Sequence, residues 1–214
     1  ATRNKLDAEK LLSVSVVVTV QPGWSIDDLA TDYAQCARWA IDAGADTIET
    51  NFSCPNVETC DGQLYQNPTG AAIVSEAVRQ AIGERPLILK IGHMTQASNA
   101  EELLVAAGPF ATAIAMTNSV ATKVRSQNGE LLFAGQPRGI CGEATFDASL
   151  GQTSLFSELI RRRSDALHII SVGGVSTARH VQSCLKAGAE SVHIATAAMI
   201  HPNVALRIRR SWQD

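Results

Sequence analysis

The sequence predicts an α/β protein built around a parallel sheet, and three observations support that prediction. Short apolar runs rich in β-branched residues alternate with segments in which apolar residues recur at helical spacing. Runs such as 14–20 are apolar on both faces, which is typical of buried parallel strands. Polar residues follow nearly every run. This pattern favours a (β/α) barrel, whose βα-loops all surround one mouth, over a doubly wound open sheet with its site at one switch point.

Each predicted element rests on a local signal. Ser25 is expected to cap a helix, because Asp28 follows three residues later as in a capping box, and Gly44 is expected to end that helix. The predicted strands cover 14–20, 46–50, 87–91, 111–116, 167–172 and 191–195. The other predicted helices cover 4–12, 69–82, 98–107, 177–187 and 203–212. About six βα units are therefore expected, against the eight of a complete barrel.

The composition gives no support for several classes of partner. The chain has 214 residues and a net charge of −3, which gives no reason to expect nucleic acid or an anionic membrane as a partner. The longest apolar runs are far shorter than the ~20 residues of a membrane span, and no signal-peptide pattern is visible. Five irregularly spaced cysteines fit neither a disulfide framework nor a zinc site, so a reducing cytoplasm is expected. The histidines have no metal-ligand spacing, so no metal is expected.

The stretch 51–56 is the strongest candidate for an active-site rim. Cys54 is a candidate base or nucleophile, although a single cysteine is more often a small buried hydrophobe. Asn51, Asn56 and Asn118 offer three carboxamides, which suit a planar ligand with alternating C=O and N–H edges. Their alternative role is to cap turns.

A second candidate site binds an anion. Gly173-Gly174-Val175-Ser176 follows a strand and opens a helix, and Thr196 follows the next strand. Barrels frequently bind phosphate in the loops after their last two strands, where helix N-termini and backbone N–H groups converge. The alternative is that the glycine pair only makes a tight turn. Lys90, at the end of an apolar strand, would neutralise a ligand anion or else be a solvated lysine.

Taken in order, these motifs resemble the dihydroorotate dehydrogenase family of FMN-dependent barrels. Asn51-Phe52-Ser53-Cys54-Pro55-Asn56 stands where that family has Asn-Leu-Ser-Cys-Pro-Asn. The resemblance continues through Lys90, Thr117-Asn118-Ser119, Gly139-Ile140-Cys141-Gly142, Gly173-Gly174-Val175 and Ala195-Thr196-Ala197.

The resemblance implies a role for each of these residues. Cys54 would be the general base that takes a proton from dihydroorotate, as in the soluble class 1 enzymes. The residues implied to hold the pyrimidine are Asn51, Asn56, Asn118 and Ser119. The residues implied to hold FMN are Lys90, Gly142, Gly173, Gly174 and Thr196. The loop 57–67 would be the lid over the reacting thiol.

The chain also departs from the family pattern. The family normally begins with two further βα units, so residues 1–214 are expected to form one FMN-binding barrel domain that corresponds to the third to eighth units. Arg138 and Ala195 stand where the family has glycine. A homodimer or a larger oligomer is expected to cover the open barrel edge. Two alternatives remain open: an inactive barrel that retains only a phosphate or flavin site, and another phosphate-binding barrel enzyme such as an isomerase or aldolase.

Overall fold

The structure is a computed structural model that describes residues 2–7, 9–53 and 63–212. Helices and strands alternate along these residues. The strands are β1 (Ser13–Val16), β2 (Thr47–Asn51), β3 (Leu87–Lys90), β4 (Ala113–Met116), β5 (Val120–Thr122), β6 (Arg138–Ile140), β7 (His168–Val172) and β8 (Ser191–His193). The α-helices are α1 (Ile26–Asp42), α2 (Pro68–Ile82), α3 (Ala97–Ala107), α4 (Phe146–Arg163), α5 (Ala178–Lys186), α6 (Thr196–Ile200) and α7 (Val204–Ser211). Short 3-10 helices are Thr2–Lys5, Leu64–Gln66, Gly108–Phe110, Phe133–Gly135 and Glu143–Thr145.

Six of the strands form one parallel sheet, and the other two form a small hairpin. The order in the sheet is β1-β2-β3-β4-β7-β8, so β1 and β8 are its two edges in the described part of the chain. The register pairs of Val16 with Thr50, Asn51 with Lys90, and Val172 with His193 lie in this sheet. The α/β fold class predicted from the sequence is confirmed.

The chain divides into two compact units. The first comprises residues 1–91, 96–114 and 163–168. In it, the β2 residues Ile48 and Thr50 and the following Phe52 are fully buried. Tyr33 of α1 packs edge-on against Phe52, with 5.8 Å between ring centroids. This face of β2 is therefore the helix-covered side, and Asn51 belongs to the other.

The second unit comprises residues 92–95, 115–162 and 169–214. Its hairpin pairs β5 with β6 in antiparallel register, from Val120 opposite Ile140. Its longest helix, α4, buries both apolar and polar side chains. The apolar ones are Phe156, Leu159 and Ile160, and the polar ones are Ser149, Gln152 and Thr153.

Several predicted boundaries are wrong, each for a tertiary reason. The predicted helix 4–12 is only the 3-10 helix Thr2–Lys5, because Asp46 accepts hydrogen bonds from the Leu12 N–H and the Arg3 guanidinium. The predicted strand 14–20 ends at Val16 in the structure. The register between β1 and β2 ends at the pair of Val16 and Thr50, so residues 17–20 are not part of this ladder in the described structure.

The sequence prediction missed helix α4 and the β5–β6 hairpin. Half of the buried face of α4 is polar, which hides its apolar periodicity. The predicted cap of α1 is confirmed: Asp28 accepts a 2.8 Å hydrogen bond from the Ser25 N–H, and Ser25 Oγ accepts one from the Asp28 N–H. Among residues 2–7, 9–53 and 63–212, no helix is both long and apolar enough to cross a membrane.

Candidate functional site

In the first unit, the ends of β2 and β3 bring Asn51 and Lys90 to neighbouring positions. The two residues are register partners in the parallel pair, and both are partly buried. The Phe52 N–H donates to the Lys90 carbonyl at 2.9 Å. Asn51 Oδ1 accepts the Ser53 N–H at 3.2 Å, and the Asn51 carbonyl accepts the Tyr33 hydroxyl at 3.0 Å. The Asn51 side chain is therefore held in an Asx-type turn at the strand end.

Two of the predicted site residues, Cys54 and Asn56, lie outside the described residues, as does the part of the predicted lid up to residue 62. The described end of that loop is well anchored. Leu64 and Tyr65 are buried, and Asn67 caps α2 by accepting the Gly70 N–H at 3.1 Å. The lid prediction stays a prediction.

In the second unit, Thr117 fixes the residues that follow β4. Thr117 is buried, and its hydroxyl donates to Gln152 Oε1 at 2.7 Å. Gln152, itself buried, donates from Nε2 to the Gly92 carbonyl at 2.8 Å. The partly buried Asn118 follows directly, and its carbonyl accepts the Cys141 thiol at 3.6 Å. Sequence reasoning missed Gln152, because a glutamine on an unpredicted helix carries no signal of its own.

The predicted FMN-binding residues of the second unit are partly brought together. Gly142 contacts Thr196: a Cβ on Gly142 would lie 3.2 Å from Thr196 Cγ2. Thr145 joins two of the glycine segments. Its hydroxyl donates to the Gly142 carbonyl at 2.8 Å and would lie 3.2 Å from a Cβ on Gly173. Three segments distant in sequence therefore meet around residues 142, 173 and 196.

The glycine pair after β7 is required by close packing as well as by its backbone conformation. Gly173 and Gly174 have φ of 124° and 73°, in the left-handed region. A Cβ on Gly173 would overlap Ser149 Oγ, and a Cβ on Gly174 would lie 2.7 Å from the Phe146 backbone nitrogen. The start of α4 therefore lies directly against this turn, which explains the glycines without reference to a ligand. Whether the turn also binds an anion stays a prediction.

The donors near this turn suit a phosphate. Ser149 is buried, and its hydroxyl has no hydrogen-bond partner in the described part of the chain. The predicted cofactor residues Gly142, Gly173, Gly174 and Thr196 contribute backbone N–H groups and a hydroxyl but no carboxylate. This donor set fits the phosphate end of FMN. Asp147 and Glu143, the acidic residues around the start of α4, are both exposed.

The two departures from the family pattern are accommodated locally. Ala195 has a φ of −115°, so its backbone does not require glycine. Arg138 is exposed and places its guanidinium carbon 5.3 Å from the centre of the Phe133 ring. This is a cation–π contact within the β5–β6 hairpin segment.

The remaining candidates do not form a metal site. Across residues 2–7, 9–53 and 63–212, no group of three or more His, Cys, Asp or Glu side chains is arranged to hold a metal ion. His93 is partly buried and lines a cavity of about 390 Å³ together with residues of α4.

Burial raises the pKa of the Cys184 thiol. Burial also raises the pKa of the Cys36 thiol, and the negative charge of Asp32 raises it further.

The fold and the strand-end residues define a (β/α) barrel-type chain, and comparison with a solved structure agrees. A dihydroorotate dehydrogenase from Eimeria tenella, solved in complex with ferulenol, superposes with a TM-score of 0.76 at 18% identity. The match covers 98% of this chain and 59% of that chain, and at this identity it shows the fold alone.

The family model described as dihydroorotate dehydrogenase matches residues 3–213. The chain belongs to the dihydroorotate dehydrogenase family. A dihydroorotate dehydrogenase from Dictyostelium discoideum is 32% identical over 189 residues, which cover 86% of this chain and 51% of that protein. The catalytic subunit of dihydroorotate dehydrogenase B (NAD(+)) from Solidesulfovibrio magneticus is 28% identical, covering 84% and 57%. The chain therefore spans about half the length of the curated relatives that it matches.

Proposed function

We propose that the chain carries the FMN-binding and pyrimidine-binding residues of an oxidoreductase that converts dihydroorotate to orotate. The observation that carries this proposal is the family match over residues 3–213. It is supported by the ordered strand-end residues of each unit. These are Asn51 and Lys90 in the first, and Asn118, Ser119, Gly142, Gly173, Gly174 and Thr196 in the second.

Oxidation of dihydroorotate removes one hydride and one proton from adjacent carbons. FMN, when bound, accepts the hydride. Cys54 is proposed to take the proton as a thiolate, as in the class 1 members of the family. A reducing cytoplasm would keep that thiol available. Asn51, Asn56, Asn118 and Ser119 are proposed to orient the pyrimidine, since amides and hydroxyls both donate and accept.

The ribityl phosphate is proposed to lie at Gly142, Gly173, Gly174 and Thr196, where three chain segments meet. Lys90 is proposed to balance the negative charge of the flavin and its chain. The Asx-type turn at Asn51 supports the pyrimidine role, because it fixes the carboxamide before a ligand arrives and so lowers the entropy cost of binding.

The visible spectrum of the purified protein tests the proposal. We expect the protein to show flavin absorbance, and we expect this absorbance to bleach when dihydroorotate is added in the absence of oxygen. A colourless protein that takes up no added FMN would contradict it. Cys54→Ser should retain FMN and slow bleaching by about 10²-fold or more, the usual scale of a general base. Cys36→Ser, on α1, is the matched control and should bleach at the unchanged rate.

A second candidate function is flavin or phosphate binding without turnover. The observation that favours it is the open sheet, whose edges β1 and β8 have no second neighbour in the described part of the chain. The chain spans about half the length of the relatives that it matches. Bound FMN that dihydroorotate fails to bleach, in protein that is otherwise folded, would select this candidate.

We propose further that a second copy of the chain covers an open edge of the sheet. Edge strands present unpaired N–H and C=O groups. Next to β1, Val17 is 47% exposed, so this edge also carries apolar surface that a partner could cover. Light scattering should give the mass of a dimer or larger assembly. A stable monomer at micromolar concentration would contradict this part of the proposal.

A further inference from the structure

The second unit contains an aromatic contact that the proposed function does not use. The Phe146 ring, at the first residue of α4, stacks on the His180 ring of α5 with 4.2 Å between centroids and 25° between planes. Both side chains are partly buried. The stack ties the beginnings of two helices together on either side of residues 173–176, called the glycine turn below.

The His180 ring also binds the glycine turn directly. The Ser176 N–H donates to His180 Nδ1 at 3.3 Å, and the Ser176 hydroxyl lies 3.4 Å from the same nitrogen. In return, the His180 N–H donates to Oγ1 of Thr177, the N-cap residue, at 3.1 Å. This is a reciprocal cap in which the third helical residue reaches back to the backbone before the helix. Because Nδ1 accepts the backbone N–H, the ring proton of the neutral histidine lies on Nε2.

Phe146 holds the opposite side of the same turn. Its backbone nitrogen and Cα would lie 2.7 and 2.8 Å from a Cβ on Gly174, so that only glycine fits against it. Gly174 therefore packs on the backbone of Phe146, and Ser176 is bonded to the ring that stacks on Phe146. Phe146 and His180 therefore contact the turn at Gly174 and at Ser176, and they also contact each other. This is the turn that is proposed to hold the phosphate.

We infer that His180 is a positioning residue of the anion-binding turn: its Nδ1 holds the Ser176 N–H while its ring is stacked on Phe146. This inference rests on the proposed function, in which the glycine turn binds the phosphate of FMN. A turn held in its binding conformation before the ligand arrives avoids the entropy cost of ordering the backbone on binding. His180 acts through the turn and is not assigned contact with the ligand.

Two substitutions separate the two contacts of His180. His180→Asn keeps an acceptor near the position of Nδ1 and loses the aromatic stack. His180→Phe keeps the stack and loses the acceptor. His201→Asn, at an exposed position of the same unit, is the matched control.

The first measurement is the affinity for FMN and for riboflavin, which lacks the phosphate. A lost hydrogen bond of about 1 kcal/mol corresponds to about fivefold, so His180→Phe should bind FMN about fivefold more weakly. Riboflavin affinity should change by less than about twofold, because the turn holds only the phosphate. His180→Asn should recover most of the FMN affinity. Equal losses for FMN and riboflavin would indicate general destabilisation and overturn the inference.

The second measurement needs no ligand, so it separates this inference from the proposed function. The Ser176 amide should exchange its hydrogen several-fold faster in His180→Phe than in wild type or His180→Asn. Nitrogen chemical shifts of the His180 ring should show the proton on Nε2. If wild type binds no FMN but these two signatures hold, the proposed function fails and the positioning role stands. If Ser176 exchanges alike in all variants, the positioning role is overturned whatever FMN does.

Discussion

The hydroxyl of Thr117 donates a 2.7 Å hydrogen bond to the side-chain oxygen of Gln152, and both residues are buried. Because the Gln152 amide nitrogen also donates to the Gly92 carbonyl, one glutamine holds the end of β4 and the loop after β3 on α4. Thr117 directly precedes Asn118 and Ser119. The position of these two residues, which are proposed to bind the pyrimidine, therefore depends on Gln152, a residue of a helix that was not predicted from the sequence.

Replacing Gln152 with methionine tests that dependence. Methionine has a similar volume, so the change removes the hydrogen bonds and leaves no large cavity. Two buried polar partners would be left unpaired, and the free energy of unfolding should fall by about 2–4 kcal/mol. Urea denaturation measures this. Ser154→Ala, at an exposed position of the same helix, should change it by less than about 0.5 kcal/mol.

Gly174→Ala should destabilise the chain much more than Gly129→Ala. Both glycines have positive φ, 73° and 83°, so alanine at either position is strained. A Cβ on Gly174 would meet the Phe146 backbone below 3 Å, whereas a Cβ on Gly129 would meet nothing within 4 Å. The difference between the two losses should be about 1–3 kcal/mol. Similar melting temperatures for the two variants would show that α4 does not pack on the glycine turn.

Arg79→Lys should destabilise the first unit, because one guanidinium joins α2 to the chain segments before and after β3. Its nitrogen atoms donate to the carbonyls of Phe110, Gly83 and Arg85 and to the Thr112 hydroxyl. An ammonium group cannot reach all of these acceptors, so a loss of about 1–3 kcal/mol is expected in chemical denaturation. Arg38→Lys is the control, since exposed Arg38 bonds only to Gln35 in the described structure.

The Ser25–Asp28 capping box should make α1 sensitive to acid. Hydrogen bonds from the Ser25 backbone and side chain lower the pKa of Asp28 below its ordinary value. A carboxyl group whose pKa is lowered on folding stabilises above its unfolded pKa, and this stabilisation is lost as the pH falls through the folded pKa. Wild type should therefore melt higher than Asp28→Asn at neutral pH, with the gap closing below about pH 4. A gap that is independent of pH would contradict a role for the charged form.

The described cysteines should differ in reactivity toward iodoacetamide. Cys141 is exposed and should react first. Burial raises the pKa of Cys36 and of Cys184, which lowers their thiolate fractions. Cys184 is 1% exposed and should react only when the chain unfolds. Mass spectrometry of the labelled peptides gives the order, and rapid labelling of Cys184 in native protein would contradict its placement.

The sequence was sufficient to predict those features that are encoded locally. The apolar run of β3 and the Ser25–Asp28 cap each depend on residues close in the chain. The strand-end motifs were visible for the same reason, because each motif is a run of consecutive residues that follows a predicted strand. The segment 4–12 was mispredicted because Asp46, more than thirty residues away, takes the hydrogen bonds of Leu12 and Arg3.

By itself, then, the sequence determined the α/β fold class, the six strands of the sheet and the family resemblance, all of which follow from periodicity and short motifs. Only the tertiary structure decided how the candidate site is held. Helix α4 packs through the polar residues Ser149, Gln152 and Thr153, which have no apolar periodicity to read. The need for glycine at residue 174 and the cap made by His180 likewise arise where α4 and α5 meet one turn, because packing and hydrogen bonds between distant segments leave no local pattern.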